Sequence, residues 1–372
     1  MRVRLSSRLA AEIRYSELER TAELAHEALA EARQLGDPAV LAQTLDDCTF
    51  VQWTPSDPKG WIDLNLEVVE RAREANDLDL EISGHKGCAS GRLELGDFAG
   101  AQQAIRACDR IAHQFPTPYA RWWSTVFRAS RALMDGEWER AEELVLDSLR
   151  IADRIDAPEV AIEVQAQLVY LRTEQGRASE IETAVNEQVR RFPEQRTWSA
   201  AFARVLVASG RLEAAREAIR PLAERRFSDV PLDRGWFGTQ ALSADVVSRL
   251  GDERSAEWLA ANLRPYSART IVIGSAVYYG PVAHYLGLLA ATRGDWDGAI
   301  GFFDAALAEE RRVGARVFAA RTSLACARAL RSRGREVDRM RSAELTRKSL
   351  ESAKKRRLVA VLREAEAYDV PV

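Results

Sequence analysis

Between Pro281 and Leu307 apolar residues recur every three or four positions in two runs. Tyr285, Leu286, Leu289 and Ala290 form the first run; Ala299, Ile300, Phe303, Ala306 and Leu307 form the second. Each run predicts a helix with one buried face. Gly294-Asp295 separates them. The glycine accepts the left-handed backbone that ends a helix, and the aspartate can cap the next by accepting from its free N–H groups. Gly287, Ala290, Ala299 and Ala306 are small enough to let the paired helices approach closely, while Leu286, Trp296 and Phe303 supply bulk.

The same break returns along the chain at Gly96, Gly136, Gly176, Gly210, Gly251, Gly294 and Gly334, with intervals of 40, 40, 34, 41, 43 and 40 residues. In six of the seven, an alanine-type position follows five residues later, from Ala101 to Ala299. Periods of this size predict a solenoid of stacked helix pairs. Counting back by 40 reaches Ser56 and Ser16, each ahead of an amphipathic helix, Trp61–Ala75 and Glu17–Gln34. Breakers at Asp37-Pro38, Thr54-Pro55, Asp57-Pro58, Pro116-Thr-Pro118, Ala157-Pro158, Phe192-Pro193 and Pro231 fall between the expected helices. About nine units then fill residues 1–372 as a single domain, with boundaries near residues 36, 76, 116, 156, 193, 230, 270 and 314. The polar segment Lys348–Ala367 is expected to be the terminal capping helix.

Leu-Gly in the first helix, Gly-Asp-aromatic at the turn, then Ala, an aromatic and Ala in the second resemble the tetratricopeptide repeat. The match is best at 281–307, moderate at the Gly96, Gly136 and Gly210 units, and degenerate at the Gly176 and Gly251 units. The expected fold is therefore all-α: a right-handed superhelical solenoid of about nine tetratricopeptide-like helix pairs.

Composition agrees. Alanine, leucine, arginine and glutamate dominate and Val-Ile-Thr clusters are rare, which favours helix over strand. Arginine outnumbers lysine 48 to 5, a bias that fits a GC-rich bacterial genome. The net charge of −3 argues against nucleic-acid binding by overall charge. It is unevenly spread: residues 311–357 hold sixteen Lys or Arg against four Asp or Glu, a local +12 that leaves −15 elsewhere. That stretch reads either as solvated helix faces or as a docking surface for an acidic partner or nucleic acid. Cys48, Cys88, Cys108 and Cys326 form no CxxC pair and read as small core residues of a reducing compartment. No signal-peptide or membrane-span pattern is present, so a soluble, cytoplasmic protein without a membrane partner is expected.

The motifs of common enzymes are missing, and no catalytic residue, metal or cofactor is expected. Gly84-His85-Lys86-Gly87-Cys88-Ala89-Ser90-Gly91 lacks the Gly-Lys-Ser/Thr ending of a phosphate loop and stands one position out of register with a nucleophile elbow. It falls within a first helix, where its small residues permit close packing. His26, His85, His113 and His284 are isolated. Asp46 and Asp47 diverge by about 100° on a helix. Trp122-Trp123 cannot share one helix face, so one is expected to pack and the other to be partly exposed.

Several segments resemble the helical C-terminal half of bacterial STAND-type ATPase regulators, the large LuxR-type transcriptional regulators and the ATPase-linked class III nucleotide cyclases. They are Leu171–Arg177, Leu232–Trp236, Leu263–Tyr266, Tyr279–Ala291 and Gly314–Arg321, in the same order across nearly the whole chain. The resemblance implies a sensor or adaptor: a fragment of such a regulator or a stand-alone module, since no ATPase, cyclase or helix-turn-helix pattern accompanies the repeats. On this reading a concave groove holds a protein, a peptide or a small effector. Mapping first-helix positions from each turn glycine places Lys86, Ser90, Tyr170, Glu174, Arg204, Asp245 and His284 in that groove. The alternative is a nucleic-acid-responsive regulator that uses 311–357.

Overall fold

The structure is a computed structural model that describes residues 1–13, 17–152, 154–155, 158–274 and 276–366; Ser16, Ala157 and Ala367 of the expected boundaries lie outside these residues. Helices follow one another in antiparallel pairs. In chain order the pairs are α1 (Arg2–Ile13) and α2 (Leu18–Leu35), α3 (Pro38–Gln52) and α4 (Pro58–Ala75), α5 (Leu78–Glu94) and α6 (Phe98–Gln114), and α7 (Pro118–Asp135) and α8 (Trp138–Ala152). They continue with α9 (Pro158–Glu174) and α10 (Glu182–Arg191), α11 (Arg196–Ala208) and α12 (Leu212–Glu224), and α13 (Trp236–Leu250) and α14 (Glu253–Leu263). The last are α15 (Val282–Thr292) and α16 (Trp296–Val313), then α17 (Arg316–Arg333) and α18 (Asp338–Arg356), with a final short α19 (Val359–Glu366). Each helix packs on its neighbours in sequence, which makes the molecule an all-α helical-repeat solenoid.

The turns follow the sequence pattern. All seven recurring glycines have positive φ, between 66° and 76°, where an L side chain is strained. Asp295 caps α16 by accepting from the Gly298 N–H at 3.0 Å. The glycines of 84–91 sit on the α5 face that meets α4, as expected of packing residues. A Cβ on Gly87 would stand 1.7 Å from Asn65 Oδ1, and one on Gly84 would stand 2.8 Å from the Asn65 carbonyl oxygen.

Three features depart from the sequence expectation. Between α14 and α15 the chain forms an antiparallel hairpin, β1 (Thr270–Ile273) and β2 (Val277–Pro281), with Val272 opposite Tyr278 and an irregularity between Thr270 and Val272. Thr-Ile-Val-Ile and Val-Tyr-Tyr are the β-branched and aromatic runs that a helical period hides when it is imposed on the whole chain. Second, Lys348–Ala367 is not one capping helix. Arg357 adopts φ 52° and breaks it into the end of α18 and the separate α19. Third, Trp122 and Trp123 are both fully buried, 4.7 Å apart and edge-to-face. Both bury because α7 is surrounded: it contacts α6, α8, α5, α9, α17 and β2.

That encirclement arises because the superhelix closes on itself. The hairpin lies inside the coil, with β1 against α5 and α13 and β2 against α7, α9, α15 and α16. Arginines of the last units then reach the turns of the third, fourth and fifth. Arg312 donates to the Gly96 carbonyl, Arg356 Nε to the Asp135 carbonyl at 3.1 Å, and Arg363 to the Gly176 carbonyl at 3.4 Å. These carbonyls end first helices, where backbone acceptors lack helical partners and the helix dipole is negative, so a guanidinium is the natural complement. Arg316–Asp135 (2.9 Å) and Arg357–Glu139 (2.6 Å) reinforce the seam.

Candidate functional site

First helices line the inside of the coil, and five of the seven expected groove residues meet there. Tyr170 and Glu174 come from α9, Arg204 from α11, Asp245 from α13 and His284 from α15. All five are largely enclosed by protein, where an open groove would leave them exposed. Arg321 of α17 joins them. It pairs with Glu174 at 3.1 Å and with Asp245 at 3.7 Å, while Arg204 bonds Asp245 and stands 3.9 Å from Glu174. Two cations thus balance two carboxylates in the interior. Burial alone would raise the Asp245 carboxyl, but Arg204, Arg321 and Arg249 together hold it well below the usual carboxylate range. Tyr170 packs edge-on to Tyr279 of the hairpin, 5.1 Å between centroids. The Tyr170 hydroxyl, Thr173 Oγ1 and Glu174 Oε2 have no protein partner, and their residues border a void of about 10 Å³, roughly enough for one water.

Lys86 and Ser90 lie elsewhere on the inner wall. The Lys86 ammonium stands 5.2 Å from the Trp123 ring centroid. Ser90 is buried and accepts from Arg234 Nη2 at 2.9 Å. Arg234 also covers the Trp61 ring and donates to the Gly274 carbonyl, tying the hairpin turn to α4 and α5. Beside it Glu94 accepts from Trp53 Nε1 and Arg269, yet burial still pushes its carboxyl up to about 7.

Adjoining the Arg204–Asp245–Arg321 cluster is a cavity of about 310 Å³, near the lower limit for small-molecule pockets. Arg249, Arg321, Arg328 and Arg331 border it, as do the carboxylates of Asp245 and Glu364. The apolar wall is Leu288, Trp296 and Phe303 with Ala291, Ala325 and Ala329. Glu364 of α19 accepts from both Arg249 and Arg328, so one carboxylate serves two guanidinium groups. The Ser248 hydroxyl at the cavity is buried without a protein partner.

His284 stands between this cavity and a buried acid. Its Nδ1 lies 2.8 Å from Thr322 Oγ1, which lies 2.6 Å from Glu310 Oε1. Burial and the nearby Arg321 push the imidazole down to about 3, so it is neutral at ordinary pH. Burial pushes Glu310 up to about 8. With Glu310 ionised, Thr322 donates to it and accepts from Nδ1–H; with Glu310 protonated, the chain of hydrogen bonds can reverse.

A common offset identifies most of these positions. Ser90, Tyr170, Arg204 and Asp245 each precede their turn glycine by six residues, and the same step before Gly294 and Gly334 gives Leu288 and Arg328, both at the cavity. Arg321 and Glu364 carry no such signal, since one lies far from its turn and the other belongs to a helix with no turn glycine after it.

The basic stretch 311–357 is largely engaged within the protein. Arg316, Arg321, Arg328, Arg333, Arg335, Arg339, Arg341, Arg347, Lys348 and Arg357 pair with carboxylates. Arg312 and Arg356 bond backbone carbonyls. The four cysteines are buried and free. Among the described residues no His, Cys, Asp and Glu side chains gather as a metal site, and no helix is long and apolar enough to cross a membrane. Compared with known proteins, the chain matches no family model and no curated protein.

Proposed function

We propose that this chain is a non-catalytic sensing array that holds a small effector in the cavity between α13, α15, α17 and α19. The observation that carries this reading is the closure of the coil. The hairpin occupies the inner face where a peptide would lie in an open array, and the groove side chains are paired with one another. Next to these paired side chains lies a pocket of small-molecule size with charged and apolar walls. Of the five segments that resemble the helical half of STAND-type regulators, two supply cavity residues, His284 and Arg321, and a third supplies Glu174, the partner of Arg321. A sensor or adaptor role in bacterial signalling follows from that resemblance, with the cavity as the input and the closed coil as the element that responds.

The reading is tested by screening a metabolite library and a peptide library against the whole chain by thermal shift, with calorimetry on the hits. Small molecules are expected to raise Tm, and Ala291→Phe, which fills the cavity, is expected to abolish their binding. Peptide hits that survive Ala291→Phe, with no small-molecule hits, would sink the proposal.

A further inference from the structure

The cavity is built to receive negative charge. Four guanidinium groups border it against two carboxylates, Asp245 and Glu364. Asp245 is committed to Arg204 and Arg321. Glu364 pairs with both Arg249 and Arg328, from a short helix of eight residues, α19. Arg331 stands at the mouth with its side chain in solvent. Arginines held in a partly dry site favour a planar carboxylate or a phosphate, because two parallel N–H donors match two oxygens. The opposite wall is apolar and aromatic, through Trp296, Phe303 and Leu288. The unpartnered Ser248 hydroxyl, on the helix that carries Arg249, supplies a further donor.

Building on the small-effector reading above, we infer that the cavity takes an organic anion with a compact apolar or aromatic body, and that the anion competes with Glu364 for Arg249 and Arg328. Glu364 then acts as an internal stand-in for the ligand. When the ligand's carboxylate or phosphate takes the two guanidinium groups, α19 loses the ion pairs that fasten it to α13 and α17. Ligand binding is thereby coupled to release of the terminal helix, which also packs on α9 and whose Arg363 seals the Gly176 turn. Arg249 and Arg328 are positioning and binding groups in this scheme; no bond is made or broken.

The experiment is calorimetric titration of the whole chain with phenylacetate, indole-3-acetate, hexanoate and phenyl phosphate, beside the neutral alcohols 2-phenylethanol and indole-3-ethanol. At least one anion is expected to bind at least tenfold more tightly than its neutral counterpart, with preference among the acids separating carboxylate from phosphate. Glu364→Gln removes the competing carboxylate and is expected to tighten the anion about tenfold. Arg331→Glu at the mouth is expected to weaken it about tenfold. Ala291→Phe, or Ser332→Trp at the rim if the first variant fails to fold, is expected to abolish it. Hydrogen exchange of α19 is expected to speed up when the anion binds. Equal binding of acids and alcohols, unaffected by Glu364→Gln but lost in Ala291→Phe, would overturn the anion assignment while leaving the small-effector reading standing. Anion binding that survives both cavity-filling variants would overturn both. No binding of any probe at 5 mM, in wild type or in Glu364→Gln, would also overturn the anion assignment.

Discussion

The first four helices and the rest of the molecule are made of the same repeat, yet they are held differently. Helices α1–α4 pack mainly on near neighbours in sequence, tied to the rest through Trp61 and Ile62 of α4 and through Arg234 over the Trp61 ring, and most of their other buried apolar residues form small clusters around Leu45, Val3 and Ala42. From Trp53 onward a main core runs through the hairpin to Ala365, with a second cluster around Phe303 and Leu330 and a small one at Leu93, Ala101 and Val272 beside it. The first region is a linear stack whose stability is a sum over adjacent units. The second is a closed coil in which distant units share contacts. The same pattern of helix pairs is therefore expected to give an arm that opens unit by unit and a body in which distant units open together.

The largest effect is expected inside the body. Arg321→Ala leaves Glu174 buried beside only a long contact to Arg204, and unfolding in urea should show a loss of about 3–5 kcal/mol, the usual cost of stranding a buried charge. A loss under about 1 kcal/mol would mean that the network does not hold the coil closed. In the arm, Leu45→Ala removes a fully buried side chain and should cost about 2–5 kcal/mol locally. Native-state hydrogen exchange should then show faster opening of α1–α4 and unchanged protection in α9 and α17. Equal loss of protection throughout would erase the distinction between arm and body.

A smaller effect separates the regions by pH. Burial raises Glu310 from about 4.5 to about 8, so its protonated form stabilises the fold fully below about 4.5, and this contribution is lost as pH rises through about 8. Glu310→Gln removes the charge that must otherwise be buried. The variant should gain stability relative to wild type across that window, by more than about 1 kcal/mol at pH 8. Urea midpoints at pH 5 and pH 8 measure it; a variant that loses ground at pH 8 would contradict the burial argument. The smallest effect is expected at Arg33–Glu67, an exposed pair in the arm at 3.1 Å. Arg33→Ala should change stability by no more than about 1 kcal/mol.

Much of this was legible in the chain. The spacing of Gly96 to Gly334 located the turns, and mapping first-helix positions from each turn glycine picked out Tyr170, Glu174, Arg204, Asp245 and His284, which meet inside. It works because a helix presents a fixed face at a fixed distance from its end. The hairpin was hidden because a repeat of 40 residues was read through Thr270–Pro281. Trp122-Trp123 was misjudged because helix geometry alone allows one buried face, whereas α7 is packed on every side. Glu364 and Arg321 were invisible because their partners lie on α13, α17 and α9, far away in sequence.

By itself the sequence determined most of the helix pairs and their turns, and named inner positions on α5, α9, α11, α13 and α15, since these depend on residues within one period of each other. Whether that inner face forms an open groove or a filled interior depended on how far the stack coils. The tertiary structure decided it by bringing the turns at Gly96, Asp135 and Gly176 within reach of Arg312, Arg356 and Arg363. The accumulated rotation of many units sets that meeting, and no single repeat encodes it.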